Sequence, residues 1–385
     1  METVRLGIVG LGNMGKTHLA NIRAGKVEGM KVTALCESVG TLPKILEGES
    51  AYTDVSAMIH CGKIDAILIC TPHFSHTPIG IEALQNGLHV LVEKPISVHK
   101  ADCERLIAAH TDKKKIFAAM FNMRTNAAFK KVKDLIDSGE LGEVRRVHWE
   151  ITNWFRTNTY YASGGWRGTW KGEGGGVLMN QCPHNLDLFQ WLFGMPQKVR
   201  GFCQFGRFHQ IEVEDDVTAI MQYDNGTTAT LVTSTGEAPG KNCLEISAEN
   251  GRLTVTDGAQ IHFQRNRTPM SKFCYESEAA FAMPESWHMS IPVENSGGQH
   301  VEILQNFANA ILKGETLLSP AEQGIYSVEL ANSILLSTWK DATIELPMDS
   351  AEYERLLIEK GNTSTFQKTK VAAKASADDF AKSFR

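Results

Sequence analysis

Apolar and polar positions change rhythm once along this chain, near Arg124. Up to that point short runs apolar on both faces, such as Ala66-Ile67-Leu68-Ile69-Cys70, alternate with amphipathic stretches. The pattern predicts strands at 4–10, 31–37, 64–71, 89–93 and 116–121, with helices near 16–23, 77–86 and 100–110. Strands apolar on both faces belong to a parallel sheet covered by helices on each side. Alternation of this kind implies right-handed crossovers and a doubly wound α/β domain over 1–124.

Beyond Arg124 a helix is expected at 126–137, followed by longer strands that alternate inward and outward positions: 144–155, 199–205, 217–223, 227–233, 244–248 and 252–256. Asp224-Asn225-Gly226 and Asn250-Gly251 lie between neighbouring strands, which makes antiparallel hairpins. Helical patterns follow at 301–313 and 320–336. The reading is an α+β domain over 125–345, an open, mainly antiparallel sheet with helices on one face. A C-terminal segment, 346–385, then ends in a polar stretch over 361–385, expected to be a flexible or oligomer-wrapping arm.

Composition narrows the function classes. A chain of 385 residues suggests two domains, each with its own core. A formal charge of −5 gives no global basic field, so nucleic acid and anionic membranes are not expected partners. No apolar run approaches the roughly 20 residues of a bilayer span. The first strand begins at Val4, which leaves no room for a signal peptide and points to the cytoplasm. The eight cysteines are far apart, without a C-x-x-C pair, and read as reduced thiols instead of a disulfide or zinc framework. No metal site is expected.

Candidate chemistry begins at Gly10-Leu11-Gly12-Asn13-Met14-Gly15, a G-x-G-x-x-G run between a strand and a helix. The first glycine allows the turn, the second lets the backbone approach a pyrophosphate, and the third lets helix and strand close up. Glu37 ends the second strand, where a carboxylate binds a ribose 2′-OH and repels a 2′-phosphate. Ser38 follows in place of a basic residue, so NAD is expected ahead of NADP. Thr71-Pro72 ends the third strand, at the edge where ligands collect. His76 either touches the dinucleotide or simply starts a helix. Lys94, in Glu93-Lys94-Pro95, ends the next strand in the same crevice. A dry crevice would lower its pKa towards that of a proton-transfer group. Glu93 orients it or closes a structural hydrogen bond.

A second constellation is Gly174-Gly175-Gly176 followed by Asn180, His184 and Asp187. Spacing of i, i+4, i+7 predicts one polar helical stripe, with Pro183 kinking the helix. His184 suits a hydroxyl partner, since imidazole titrates near neutral pH. Between the constellations, 152–170 is dense in Trp, Tyr, Arg and Asn flanked by glycines. Such a loop fits either a sugar pocket or a packed aromatic cluster.

Together, the glycine run, Thr71-Pro72, Glu93-Lys94-Pro95 and Gly174-Gly175-Gly176…Asn180…His184 resemble the Gfo/Idh/MocA family of oxidoreductases over about 1–355. The resemblance implies a Rossmann domain, an open-sheet domain that lines the substrate site and makes oligomer contacts, and NAD(P)-dependent chemistry at a sugar or cyclitol hydroxyl. It maps the catalytic groups to Lys94 and His184. Many members carry an aspartate four residues before the histidine, and this chain has Asn180, which binds a hydroxyl but accepts no proton. The expected cofactor contacts are Gly10, Gly12, Asn13, Met14, Gly15, Glu37, Thr71, Pro72, His76, Glu93 and Lys94. The expected substrate contacts are Asn122, Arg124, Tyr160, Trp166, Arg167, Asn180 and His184. Two other readings stay open: a glycoside-cleaving enzyme using NAD transiently, and a non-catalytic sugar or redox sensor. The partner expected in every case is a small sugar, glycoside or cyclitol, with a homo-oligomer as the assembly.

Overall fold

A computed structural model of the chain describes residues 2–294 and 297–368. Strands β1 (Val4–Val9), β2 (Met30–Cys36), β3 (Ser50–Tyr52), β4 (Ala66–Ile69), β5 (His89–Val92) and β6 (Phe117–Ala119) form one sheet in the order β3-β2-β1-β4-β5-β6. Every pairing in it is parallel. The strand order reverses direction between β1 and β4, which opens a crevice at their carboxyl ends. Helix α1 (Asn13–Arg23) lies on one face, while α2 (Val55–Ile59), α3 (His76–Gln85) and α4 (Lys100–Ala109) lie on the other. Strand β3 and helix α2 go beyond the sequence reading, being too short to show a periodicity.

The second unit begins with α5 (Ala127–Asp137), capped by the Asn126 side chain accepting from Ala128 and Phe129 N–H. Strand β7 (Val144–Ile151) follows, ending four residues short of the expected strand, then α6 (Asn158–Ala162) and α7 (Pro183–Phe193). Strands β8 (Lys198–Phe205), β9 (Glu214–Gln222), β10 (Thr228–Ser234), β11 (Asn242–Ala248), β12 (Gly251–Thr256), β13 (Gln260–Asn266), β14 (Ser286–Ile291) and β15 (Ile344–Glu345) complete a nine-stranded sheet. Its order is β14-β13-β12-β11-β7-β10-β9-β8-β15, antiparallel except for β7 beside β10. Strands β13 to β15 were not anticipated: β13 and β14 carry many polar residues, and β15 has two residues.

One face of this sheet is covered. Trp149 stacks with Phe189 at 6.4 Å and lies 5.5 Å from Phe129, joining β7 to α7 and α5 in a fully buried core. Truncating any of these rings to Ala would cost about 3–5 kcal/mol. Helix α8 (Met270–Glu276) sits in the β13–β14 connection. Helix α9 (His300–Lys313) returns to the first sheet, where Ile303, Leu304, Phe307 and Ala308 join α1 on the same face. Helix α10 (Gly324–Lys340) touches both units: Val328 enters the core of the parallel sheet and Ile334 and Leu335 enter the other. Helix α11 (Ser350–Thr363) takes in the first three residues of the predicted arm, and 369–385 lie outside the described residues.

Candidate active site

The loop from β1 to α1 is as tight as its glycines allow. Gly10 adopts φ +85°, and a Cβ there would lie 2.7 Å from the Cys70 carbonyl. A Cβ on Gly15 would come within 2.0 Å of the Gly10 oxygen. Gly12, by contrast, has nothing within 4 Å of that position. The first and third glycines serve helix–strand closure, and the second faces open space where an anion can meet the start of α1. Asn13 and Met14 open that helix, Asn13 exposed and Met14 half-buried. Glu37 Oε2 accepts the Leu11 N–H at 2.7 Å and Oε1 the Val39 N–H at 3.1 Å, which leaves lone pairs on both oxygens for ribose hydroxyls. Thr71 Oγ1 is buried at the same edge without a partner. Free space at Gly12, an acceptor at Glu37 and an orphaned hydroxyl at Thr71 fit a bound dinucleotide.

Lys94 follows β5 at the carboxyl edge. Its Nζ donates to the Asn180 carbonyl at 2.9 Å, which ties the two units across the crevice. Burial lowers its pKa, Glu93 opposes that, and the Arg156 and Arg167 cations push it lower. Glu93 turns inward: it accepts from His18 of α1 at 2.7 Å and from the Lys94 N–H at 3.2 Å. Burial works to raise the Glu93 carboxyl, but the His18 bond and nearby cations prevail and bring it down to about 2. Lys94 is thereby fastened to the helix whose N-terminus faces the dinucleotide position.

Asn180 and His184 do not share a helix. Pro183 is the first residue of α7, where no N–H is needed, so it starts the helix and no kink arises. Asn180 lies in the preceding turn, its N–H donating to the Gly176 carbonyl. Its side-chain nitrogen donates to Glu173, leaving Oδ1 as the free acceptor. Glu173 was missed by sequence reasoning. It is 1% exposed, also accepts the Gly168 N–H at 2.6 Å, and burial raises it to about 7. His184 lies in the first turn of α7, edge-on to Phe121 at 6.2 Å, with Nδ1 buried and unpartnered. Burial, with Lys94 and His300 adding to it, holds its pKa well below the usual value, so the ring is neutral at physiological pH.

The segment between β7 and α7 folds over this edge. Trp166 meets His73, just past Pro72, edge-on at 5.1 Å. Arg167 lies 5.0 Å from the Tyr160 ring and 4.7 Å from that of Trp166. The Tyr160 hydroxyl accepts from Gln181 at 3.1 Å, next to Asn180. Tyr160, Trp166 and Arg167 are therefore brought towards Lys94 and Asn180.

Other expected contacts are engaged elsewhere. Arg124 does not face the crevice: its Nε and NH2 hold Asp187 at 2.7 and 2.6 Å, and NH1 reaches Gln323 and Leu318. Both side chains are at most 2% exposed, so this is an internal ion pair, and Asp187 leaves the predicted stripe with it. His76 is buried with its ring nitrogens 2.8 Å from the Pro95 and Thr71 carbonyls, which corresponds to the helix-starting alternative. Asn122 donates to the Gly298 carbonyl, with Oδ1 unpartnered.

Two family models match in sequence order: an oxidoreductase family with an NAD-binding Rossmann fold over residues 4–121, and a GFO/IDH/MocA C-terminal domain over 129–254. Inositol 2-dehydrogenase from Salmonella typhimurium is 32% identical over 202 residues, covering 51% of this chain and 56% of that protein. Glycosyl hydrolase family 109 protein 2 from Phocaeicola vulgatus is 33% identical over 310 residues, 76% of this chain and 68% of that protein. The crystal structure of the WlbA dehydrogenase from Bordetella pertussis, in complex with NADH and UDP-GlcNAcA, shares the fold with a TM-score of 0.73 at 24% identity, over 90% of this chain and 100% of that one. A match that runs through both units in order leaves one assignment, and the chain belongs to the Gfo/Idh/MocA family of oxidoreductases.

Proposed function

We propose that this protein is an NAD-dependent dehydrogenase acting on a secondary hydroxyl of a sugar, glycoside or cyclitol, with Lys94 and His184 handling the proton. The observation that carries it is Lys94, held by the Asn180 carbonyl at the carboxyl end of β5, beside a neutral His184 and one loop from Gly12. Inositol 2-dehydrogenase among the relatives supports the substrate class.

NAD, when bound, supplies the hydride acceptor for the carbinol carbon. Lys94 in its amine form donates one hydrogen to the Asn180 carbonyl and keeps a lone pair for the substrate hydroxyl's proton. His184, neutral and with Nδ1 unpaired, offers a second acceptor for the same proton. Asn180 Oδ1, turned outward because Glu173 holds the amide nitrogen, accepts a neighbouring hydroxyl and orients the ring. The trial is single-turnover kinetics with NAD and a panel of monosaccharides, glycosides and inositols. Lys94→Ala should slow hydride transfer by about 10²–10⁴ with little loss of dinucleotide affinity. His184→Ala should slow it too, and the double variant should lose less than the sum. Near-normal transfer by Lys94→Ala, with Asn180→Ala inactive, would reverse the roles.

The alternative is glycoside cleavage through transient oxidation of a ring hydroxyl. It is favoured by the glycosyl hydrolase relative, whose alignment runs over 310 residues. Aglycone release with tightly held NAD and no net NADH would select it. The uncovered face of the nine-stranded sheet, where Phe202 and Ile220 are exposed, supports homo-oligomer assembly, measurable by light scattering.

A further inference from the structure

The crevice carries more positive charge than a neutral sugar needs. Arg156 lies 5.6 Å from the Trp154 ring and 5.2 Å from that of Tyr160, whose other neighbour is Arg167 at 5.0 Å. Several other arginines find carboxylates: Arg23 with Glu49, Arg105 with Asp102 and Glu354, Arg124 with Asp187. Among the described residues Arg156 and Arg167 pair with none. Among the described residues the Arg156 side chain donates only to the Phe155 carbonyl, the Arg167 side chain has no acceptor, and each Nε is buried without a partner.

Nearby acids are already engaged. Glu93 is bound to His18. Asp215 accepts from the Arg207, Phe208 and His209 N–H groups and from the His209 ring. Glu173, raised by burial to about 7, is only partly charged at neutral pH and holds Asn180 and Gly168. Arg156 and Arg167 thus lie near Lys94 with no carboxylate hydrogen-bonded to either guanidinium among the described residues.

Planar guanidiniums held beside aromatic rings are pre-organised, and their free terminal N–H groups can bind an oxyanion. We propose that the substrate is an acidic sugar, whose carboxylate or phosphate seats on Arg156 and Arg167 while a ring hydroxyl meets Lys94. This inference rests on the dehydrogenase reading of the same crevice and narrows its substrate class.

The experiment uses the full-length protein loaded with NAD and matched sets: glucose, glucuronate and glucose 6-phosphate; galactose and galacturonate. Binding is followed by tryptophan fluorescence, since Trp154 and Trp166 flank the guanidiniums, and turnover by reduced-cofactor absorbance. An acidic member should bind at least about tenfold tighter than its neutral counterpart at low salt, with the gap shrinking as salt rises. Preference for the uronates identifies a carboxylate, and preference for glucose 6-phosphate a phosphate. Arg167→Gln and Arg156→Gln should each close most of the gap, and Arg167→Lys should keep part of it, which separates lost recognition from lost folding. Neutral sugars binding as tightly as acidic ones, no sugar binding at all, or a gap unchanged in both Gln variants would overturn the proposal. Arginine-dependent binding of acids without any NADH would leave it standing and remove the dehydrogenase reading. Turnover of neutral sugars at least as fast as of their acids would do the opposite.

Discussion

Asp187→Ala tests whether Arg124 belongs to the core or to the substrate. In the fold, Arg124 Nε and NH2 both hold the Asp187 carboxylate, and the two side chains are at most 2% exposed. Burial pushes Asp187 up despite the neighbouring guanidinium, so the pair is no strong net stabiliser. Breaking it is a different matter. Without Asp187, the guanidinium keeps only the NH1 bonds to Gln323 and Leu318 and remains a buried cation without a counter-charge. That should cost about 3–5 kcal/mol. At about 2–4 °C per kcal/mol for a domain of this size, Tm should fall by roughly 6–20 °C, measured by calorimetry. Arg124→Met with Asp187→Leu removes both charges at similar volume and should recover at least about half of the loss. A change in Asp187→Ala below about 1 kcal/mol would refute the argument, because a buried unpaired cation cannot be that cheap. A folded double variant that took up NAD but bound no substrate would return Arg124 to the substrate site.

Cofactor choice should follow Glu37: NAD should be preferred by at least about tenfold, roughly 1.4 kcal/mol, and Glu37→Ser with Ser38→Arg should narrow or reverse the gap, read from binding of each dinucleotide. Gly12→Ala puts a methyl into open space and should leave Tm nearly unchanged while weakening NAD binding, whereas Gly15→Ala, 2.0 Å from the Gly10 oxygen, should lower Tm. Similar Tm losses in both would contradict the division of labour in that loop. Ionised Glu173 fixes the Asn180 amide, so kcat/KM should rise with an inflection near 7 that Glu173→Gln removes. Because its folded pKa lies above the ordinary 4.5, its stability contribution is complete below about 4.5 and is lost as pH rises through 7. Stability of Glu173→Gln should fall less over that window in urea titrations.

Local signals were legible. The glycine run, Glu37 and Lys94 each sit at a strand end that hydrophobic periodicity already marks, so their place in the crevice follows from pattern alone. Asn180 misled because i, i+4, i+7 spacing was extended through Pro183; a proline followed by Leu186, Leu188 and Phe189 is also the signature of a helix start. Arg124 was expected among the substrate contacts, but its partner Asp187 is 63 positions away, beyond any local rule. Glu173 has no periodicity around it at all. Only the burial that raises its pKa distinguishes it from a surface acid.

Helix α9 has a consequence for how the chain is made. Its Ile303, Leu304, Phe307 and Ala308 cover the side of the parallel sheet that α1 alone cannot close. A nascent chain that has released residues 1–124 therefore holds six strands with part of one apolar side bare, and must keep it so until the residues of α9 emerge. Contacts of such sequence separation form late and slowly. During that interval the unfinished sheet is the surface most exposed to self-association. Chaperone dependence during synthesis should concentrate on this side, and a fragment ending at 124 should aggregate where the whole chain does not.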